Sequence, residues 1–164
     1  SLSQAIEDCR TENILRTVKA GYEHLSKLGI KKPRIAVAAL NPHAGEEGLF
    51  GREEIDEIAP AIEQARGQGI DAYGPFPGDS VFYRALRGDF DLVVAHYHDQ
   101  GLIPIKLADF DNAVNVTLGL PVIRTSVDHG TAYDIVDQNI ASAENLKLAL
   151  KTAARLSQFT LSMQ

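Results

Sequence analysis

Histidine and carboxylate side chains gather at two places in this sequence. One is NPHAGEE, with His43, Glu46 and Glu47; the other is HYHDQ, with His96, His98 and Asp99. Imidazole and carboxylate together suit zinc, cobalt or another borderline divalent ion, and they also serve as general acids and bases. A third polar stretch, SVDHGTAYD from Ser126 to Asp134, adds His129, and Lys106, Asn115 and Arg124 lie nearby in sequence. Plainer roles stand beside each of these: a core histidine and a surface histidine closing a strand, a capping histidine in a solvated turn, cations paired with spare carboxylates. Accumulation at strand ends is what favours a site over those roles.

The elements that must position these groups can be read from apolar patterning. Leu92–Ala95 is a short apolar run of the kind a buried strand needs, and it ends in the HYHDQ residues. If that segment stays extended, His96 and His98 point to one face and Tyr97 to the other. Gly101 then turns the backbone, Pro104 stiffens it, and Lys106 returns a cation toward the same place. Arg34–Leu40 is a second continuous apolar run, consistent with a parallel strand covered on both faces. It delivers the loop Asn41–Gly51, whose glycines 45, 48 and 51 lack the G-x-G start of the dinucleotide fingerprint. The three polar loops are expected to converge at one edge of a mixed α/β sheet.

Around these, Thr11 is the expected N-cap of a helix running to Leu28 and closed by Gly29. Arg52–Gln68 reads as a helix with Ile55, Ile58, Ala59, Ile62 and Ala65 on one face. Ile70–Tyr73 is a short strand, GPFPGD a rigid turn, and Asp79 the cap of a helix to about Arg87. Past the polar segment 109–112, Ala113–Leu118 alternates as a strand with Asn115 and Thr117 on one face. Pro121–Thr125 is another strand. Ser142 caps a last amphipathic helix with Leu146, Ala149, Leu150, Ala153 and Leu156 inward.

The totals bound the function. A length of 164 residues with 45% hydrophobic content suits one globular α/β domain, residues 1–164. A net charge of −6 and no basic stripe argue against a nucleic-acid partner. No apolar run approaches a membrane span. One cysteine, Cys9, gives no disulfide framework, so a cytoplasmic, soluble protein is expected.

The runs RIAVAALNPHAGEEGLFG, GPFPGDSVF, AHYHDQGLIPIK and NVTLGLPVIRTSVDHGTA resemble the 4-hydroxythreonine-4-phosphate dehydrogenase family, the NAD-dependent enzymes of pyridoxal phosphate (pyridoxine) biosynthesis. The likeness extends from about Pro33 to about Ala154, and it takes in the related 4-phospho-D-threonate and 4-phospho-D-erythronate dehydrogenases. It implies a three-layer fold of the isocitrate/isopropylmalate dehydrogenase type and a homodimer whose active site uses both subunits. By the same resemblance His43 and His98 are metal ligands, for zinc, cobalt, magnesium or manganese. Lys106, Asn115 and Arg124 bind a phosphorylated small-molecule substrate, with Lys106 and Asp99 as the catalytic candidates. His129, Gly130 and Thr131 fall on a loop similar to the adenine-side loop of isopropylmalate dehydrogenase, for NAD or NADP. The implied reaction is oxidation and decarboxylation of a 4-phosphorylated 3-hydroxy acid. A non-catalytic metal- or phosphate-binding module is the rival from another class. Two departures stand out. His96 occupies a position where the family usually has methionine, and the family is about twice as long, with a third metal histidine expected just before Ser1. The chain therefore resembles the C-terminal half of the enzyme, inactive alone.

Overall fold

The computed structural model describes residues 1–110 and 112–161, the last two as backbone only. They pack as two compact units, one ending at Pro104 and one beginning at Ile105. Of the polar segment 109–112, Asp111 lies outside the described residues.

The first unit is built on three parallel strands, β1 (Ile35–Ala38), β2 (Ala72–Phe76) and β3 (Leu92–Val94), in the order β2-β1-β3. All four β1 residues are buried, as the continuous apolar run requires of a central strand. Their side chains divide by alternation. Ile35 and Val37 join Val18, Ile58, Ile62 and Ala65 on one face, whereas Ala36 and Ala38 join Val81 and Phe90 on the other. Helices α2 (Thr11–Lys27) and α3 (Ala59–Gly67) supply the first layer, and the short α4 (Val81–Leu86) supplies the second. A further short helix, α1 (Leu2–Glu7), precedes α2.

Local details depart from the sequence reading for identifiable reasons. Thr11 is the first residue of α2 rather than its cap, because the carboxylate of Glu57 takes over the capping. Glu57 Oε2 accepts from Thr11 N at 2.7 Å and from Thr11 Oγ1 at 2.8 Å. Those bonds hold the Glu57 carboxyl below the usual carboxylate range. The helix expected from Arg52 opens as a wide π turn, Glu54–Ile58, before α3 begins. The slip in period puts Glu54 on the buried side and leaves Ile55 44% exposed. Ser80, not Asp79, stands at the N-cap of α4.

The largest departure follows β3. The chain does not stay extended through Lys106; it forms a helix, α5 (His98–Ala108), that carries Gly101 and Pro104 inside it. Pro104 forgoes one backbone bond there, and the paired histidines of an extended strand do not form.

In the second unit, β4 (Val114–Thr117) and β5 (Arg124–Val127) make an antiparallel ribbon, a sheet separate from the parallel one. Pairing places β5 three residues later than expected, so Pro121–Ile123 belong to the connection. One face of the ribbon, with Val116 opposite Thr125 and Val114 opposite Val127, packs on α6 (Glu144–Leu161). Thr125 Oγ1 donates to the Ala149 carbonyl at 3.0 Å. Ala143, not Ser142, stands at the cap position of α6, its carbonyl accepting from Lys147 N, while Ser142 Oγ, one residue earlier, accepts from Glu144 N. Ala149 is buried, but Leu146 and Leu150 are 55% and 63% exposed, against the expectation that both turn inward.

Candidate active site

The strand order places a topological switch between β1 and β3. From β1 the chain crosses to β2 on one side, and from β2 it crosses back to β3 on the other. Connections leaving the carboxyl ends of two such strands diverge, and the crevice between them is where open α/β sheets bind ligands. The segments leaving β1 and β3 are the two that carry His43 and His98. The structure thus brings the NPHAGEE and HYHDQ groups to one sheet edge. The Ser126–Asp134 stretch belongs to the second unit.

After β1 the backbone does something the sequence does not announce. Residues His43 to Glu47 all have positive φ, between 43° and 77°, forming a left-handed turn. For non-glycine residues this costs about 1–2 kcal/mol each, and His43, Ala44, Glu46 and Glu47 are four such residues. The turn is tied below by Glu54, whose Oε1 accepts from Leu40 N at 2.8 Å and Asn41 N at 2.7 Å. Its Oε2 accepts from Asn41 Nδ2 at 2.9 Å, and the same amide donates to Glu53 Oε2 at 2.7 Å. The glycines that failed the dinucleotide pattern find their reason here. A Cβ on Gly45 would stand 2.6 Å from Glu54 Oε2, and one on Gly51 would stand 2.4 Å from Asn41 Nδ2. His43 itself is exposed, its ring 6.0 Å from that of Phe50.

At the β3 end the two histidines separate in role. His98 opens α5 with its side chain 78% exposed, and its Nδ1 lies 2.8 Å from Asp99 Oδ1. A carboxylate at Nδ1 fixes that nitrogen as the proton-bearing one and leaves Nε2 free for a metal. His96 turns the other way. Its Nε2 donates to the Ala38 carbonyl at 2.6 Å, which leaves Nδ1 to accept from the Cys9 thiol at 3.7 Å. Gln100 completes the stitching, accepting from His96 N at 2.8 Å and donating to the Ala39 carbonyl at 2.6 Å. Burial pushes the Cys9 thiol up to about 11, so it is not a nucleophile at neutral pH.

Burial also depresses His96, against smaller opposing effects of the Ala38 bond and Glu54. In the unfolded chain an imidazole titrates near about 6.5. As pH falls through that value, the unfolded state gains a proton that folded His96 refuses, so stability must fall with it. The loss continues down to the depressed value of His96. We expect the urea midpoint to drop between pH 7 and 5, and to drop less in His96→Gln. The remainder falls to His24, depressed by burial and by Lys27. An equal drop in both proteins would show that His96 is not responsible.

The second unit presents its own groups. On the face of the β4–β5 ribbon away from α6, Asn115 lies opposite Ser126 and Thr117 opposite Arg124. Asn115 and Arg124 are therefore diagonal neighbours on one exposed face, with Arg124 Nη1 donating to Thr117 Oγ1 at 2.8 Å. Lys106 Nζ donates to the Asp128 carbonyl at 3.2 Å and lies 3.4 Å from Asp128 Oδ2. That second contact is an ion pair without hydrogen-bond alignment, since Oδ2 is buried and accepts no bond. His129 is exposed and its Nδ1 donates to the Gly130 carbonyl at 2.9 Å; Gly130 and Thr131 are exposed beside it. Asp128, Asn41 and Glu54 went unnoticed in the sequence, and Gln100 stands there only as the last of the HYHDQ groups; Glu54 carried a signal, a carboxylate shortly after a glycine-rich strand-end loop.

For a divalent ion, the donor chemistry fits and the donor number does not. His43 and His98 are exposed imidazoles at one edge, but among the described residues no group of three histidine, cysteine or acidic side chains could hold a metal. No described helix is long and apolar enough to cross a membrane.

A parallel sheet with helices on both faces and polar loops at its switch point defines an open-sheet α/β protein. Within that class the chain belongs to the family of the pyridoxal phosphate biosynthetic protein PdxA, whose model matches residues 1–153. It is 54% identical, over 95% of its length, to a 4-hydroxythreonine-4-phosphate dehydrogenase of Beijerinckia indica, covering 46% of that protein. It is 52% identical, over 95% of its length and 47% of the relative, to a D-threonate 4-phosphate dehydrogenase of Cupriavidus necator. The crystal structure of a 4-hydroxythreonine-4-phosphate dehydrogenase from Klebsiella pneumoniae matches with a TM-score of 0.87 and 46% identity. That match covers 96% of this chain and 48% of the other. The chain spans about half the length of the curated relatives it matches.

Proposed function

We propose that this chain is the C-terminal half of a metal-dependent dehydrogenase with the isocitrate/isopropylmalate dehydrogenase type of fold. It acts as a cytoplasmic homodimer that oxidises and decarboxylates a 4-phosphorylated 3-hydroxy acid with NAD or NADP. The observation that carries the reading is the pair of histidine-bearing segments leaving β1 and β3 at the switch point. The names of the relatives supply the substrate class, 4-hydroxythreonine 4-phosphate. The Cupriavidus necator relative supports D-threonate 4-phosphate as the second reading.

His43 and His98 would hold the ion, with Asp99 fixing the tautomer of His98. Such an ion supplies Lewis acidity, lowering the pKa of a substrate hydroxyl and polarising the carbonyl that forms. The redox chemistry is that of the nicotinamide, for which His129, Gly130 and Thr131 would line the adenine side. Oxidation removes a hydride from C3 and a proton from its hydroxyl. The resulting β-keto acid loses carbon dioxide and leaves an enolate, for which Lys106 would be the cation and proton donor. Arg124 and Asn115, on one exposed face, would hold carboxylate or phosphate, the guanidinium with two parallel bonds.

The test is reduction of NAD or NADP by a protein of the relatives' full length that carries this chain, given each phosphorylated acid and each of the four metals. Turnover by that protein, and none by residues 1–164 alone, is the expected result. No turnover with any combination, despite metal or phosphate binding, would replace the enzyme by a binding module.

A further inference from the structure

Among the described residues Glu54 is the only charged side chain in the buried core, 3% exposed. A buried carboxylate is unfavourable unless hydrogen bonds replace its water. All the hydrogen bonds Glu54 accepts come from one place, Leu40 N, Asn41 N and Asn41 Nδ2, the two residues that lead from β1 into the left-handed turn. The turn then folds back so that Gly45, φ 77°, closes over the same carboxylate, where any side chain would collide with it. Within the turn, Phe50 N donates to the Gly45 carbonyl and Leu49 N to that of Glu46. Apart from Gly45, the residues of the turn do not prefer this shape, because His43, Ala44, Glu46 and Glu47 are all disfavoured there. Such a backbone persists only when its surroundings over-determine it. The π turn that begins at Glu54 is what turns its carboxylate inward.

We propose that Glu54 is the positioning residue of this site. Its carboxylate, gripping the start of the turn and meeting Gly45 at its middle, holds His43–Glu47 left-handed and so sets where the His43 imidazole stands. The purpose of the turn rests on the metal reading of His43; the hold of Glu54 on it does not.

Three variants of the full chain separate the possibilities: Glu54→Gln, Asn41→Ala and Glu57→Gln. In Glu54→Gln an amide faces the Asn41 amide, donor against donor. Glu57→Gln is the control, a carboxylate of the same wide turn whose bonds go to Thr11 and Arg10 instead. Left-handed residues give strong intraresidue HN–Hα NOEs, which report the turn directly. Cobalt(II), added alone, reports His43 through paramagnetic broadening of its ring. In Glu54→Gln the NOEs of Ala44, Glu46 and Glu47 are expected to collapse. Cobalt binding at His43 should weaken about ten- to a hundredfold, the usual effect of losing a group that orients a ligand. Glu57→Gln should keep both. An unchanged NOE pattern in folded Glu54→Gln overturns the proposal, as does an equal collapse in Glu57→Gln. If Glu54→Gln does not fold, Asn41→Ala decides, since it keeps the buried carboxylate and removes only the side-chain arm: weakened NOEs support the assignment and unaltered ones overturn it. Absence of cobalt binding at His43 in an unsubstituted protein of the relatives' full length that carries this chain would sink the metal reading alone, with the NOEs still judging Glu54.

Discussion

Lys106→Met, in a catalytically competent protein carrying this chain, is expected to lower kcat by about a hundred- to ten-thousandfold, the range for losing a positioned acid. The same change should also weaken the second unit, because Asp128 Oδ2 is buried, accepts no hydrogen bond, and has Lys106 Nζ 3.4 Å away. Stranding a buried carboxylate costs about 1–3 kcal/mol. The two effects can be pulled apart. Asp128→Asn added to Lys106→Met removes the stranded charge and should recover thermal stability without recovering kcat. Recovery of kcat in the double variant would make Lys106 a structural cation and nothing more.

Arg124→Ala should leave stability nearly untouched, since the residue is exposed and its one described bond is to Thr117 Oγ1. Its effect falls on the substrate. Loss of a charge-assisted contact to carboxylate or phosphate costs about 1.5–3 kcal/mol, roughly a ten- to hundredfold rise in KM for the phosphorylated acid. KM for the nicotinamide should move little. Parallel rises in both constants would assign Arg124 to the fold of the ribbon instead of to the substrate.

What was legible in the sequence was what short-range pattern controls. Arg34–Leu40 reads as a doubly covered strand because burial on both faces leaves no room for polar residues, and β1 is buried throughout. The alternation around Asn115 and Thr117 reads correctly because a ribbon with one packed face enforces it. The rest depends on partners distant in sequence or on backbone states without a residue signature. Thr11 looks like a cap until Glu57, 46 residues away, caps the helix in its place. The helix through Gly101 and Pro104 forms against the preferences of both. Leu146 and Leu150 sit at helical spacing with the buried Ala149, yet both are largely exposed. For the site, residue types at strand ends pointed to His43 and His98, but the left-handed turn and its buried glutamate left only three glycines as a trace.

The β4–β5 ribbon carries a consequence for how this protein is assembled. A slip of one residue in its pairing would exchange the two faces of the strand that slips. If β5 slipped against a β4 held in place, Arg124 would be driven against α6, and Thr125 and Val127 would be turned out in its place. A mispaired ribbon therefore proofreads itself. The guanidinium that is exposed in the right register is an unpaired buried charge in the wrong one, so a copy that folds at all presents Arg124 outward.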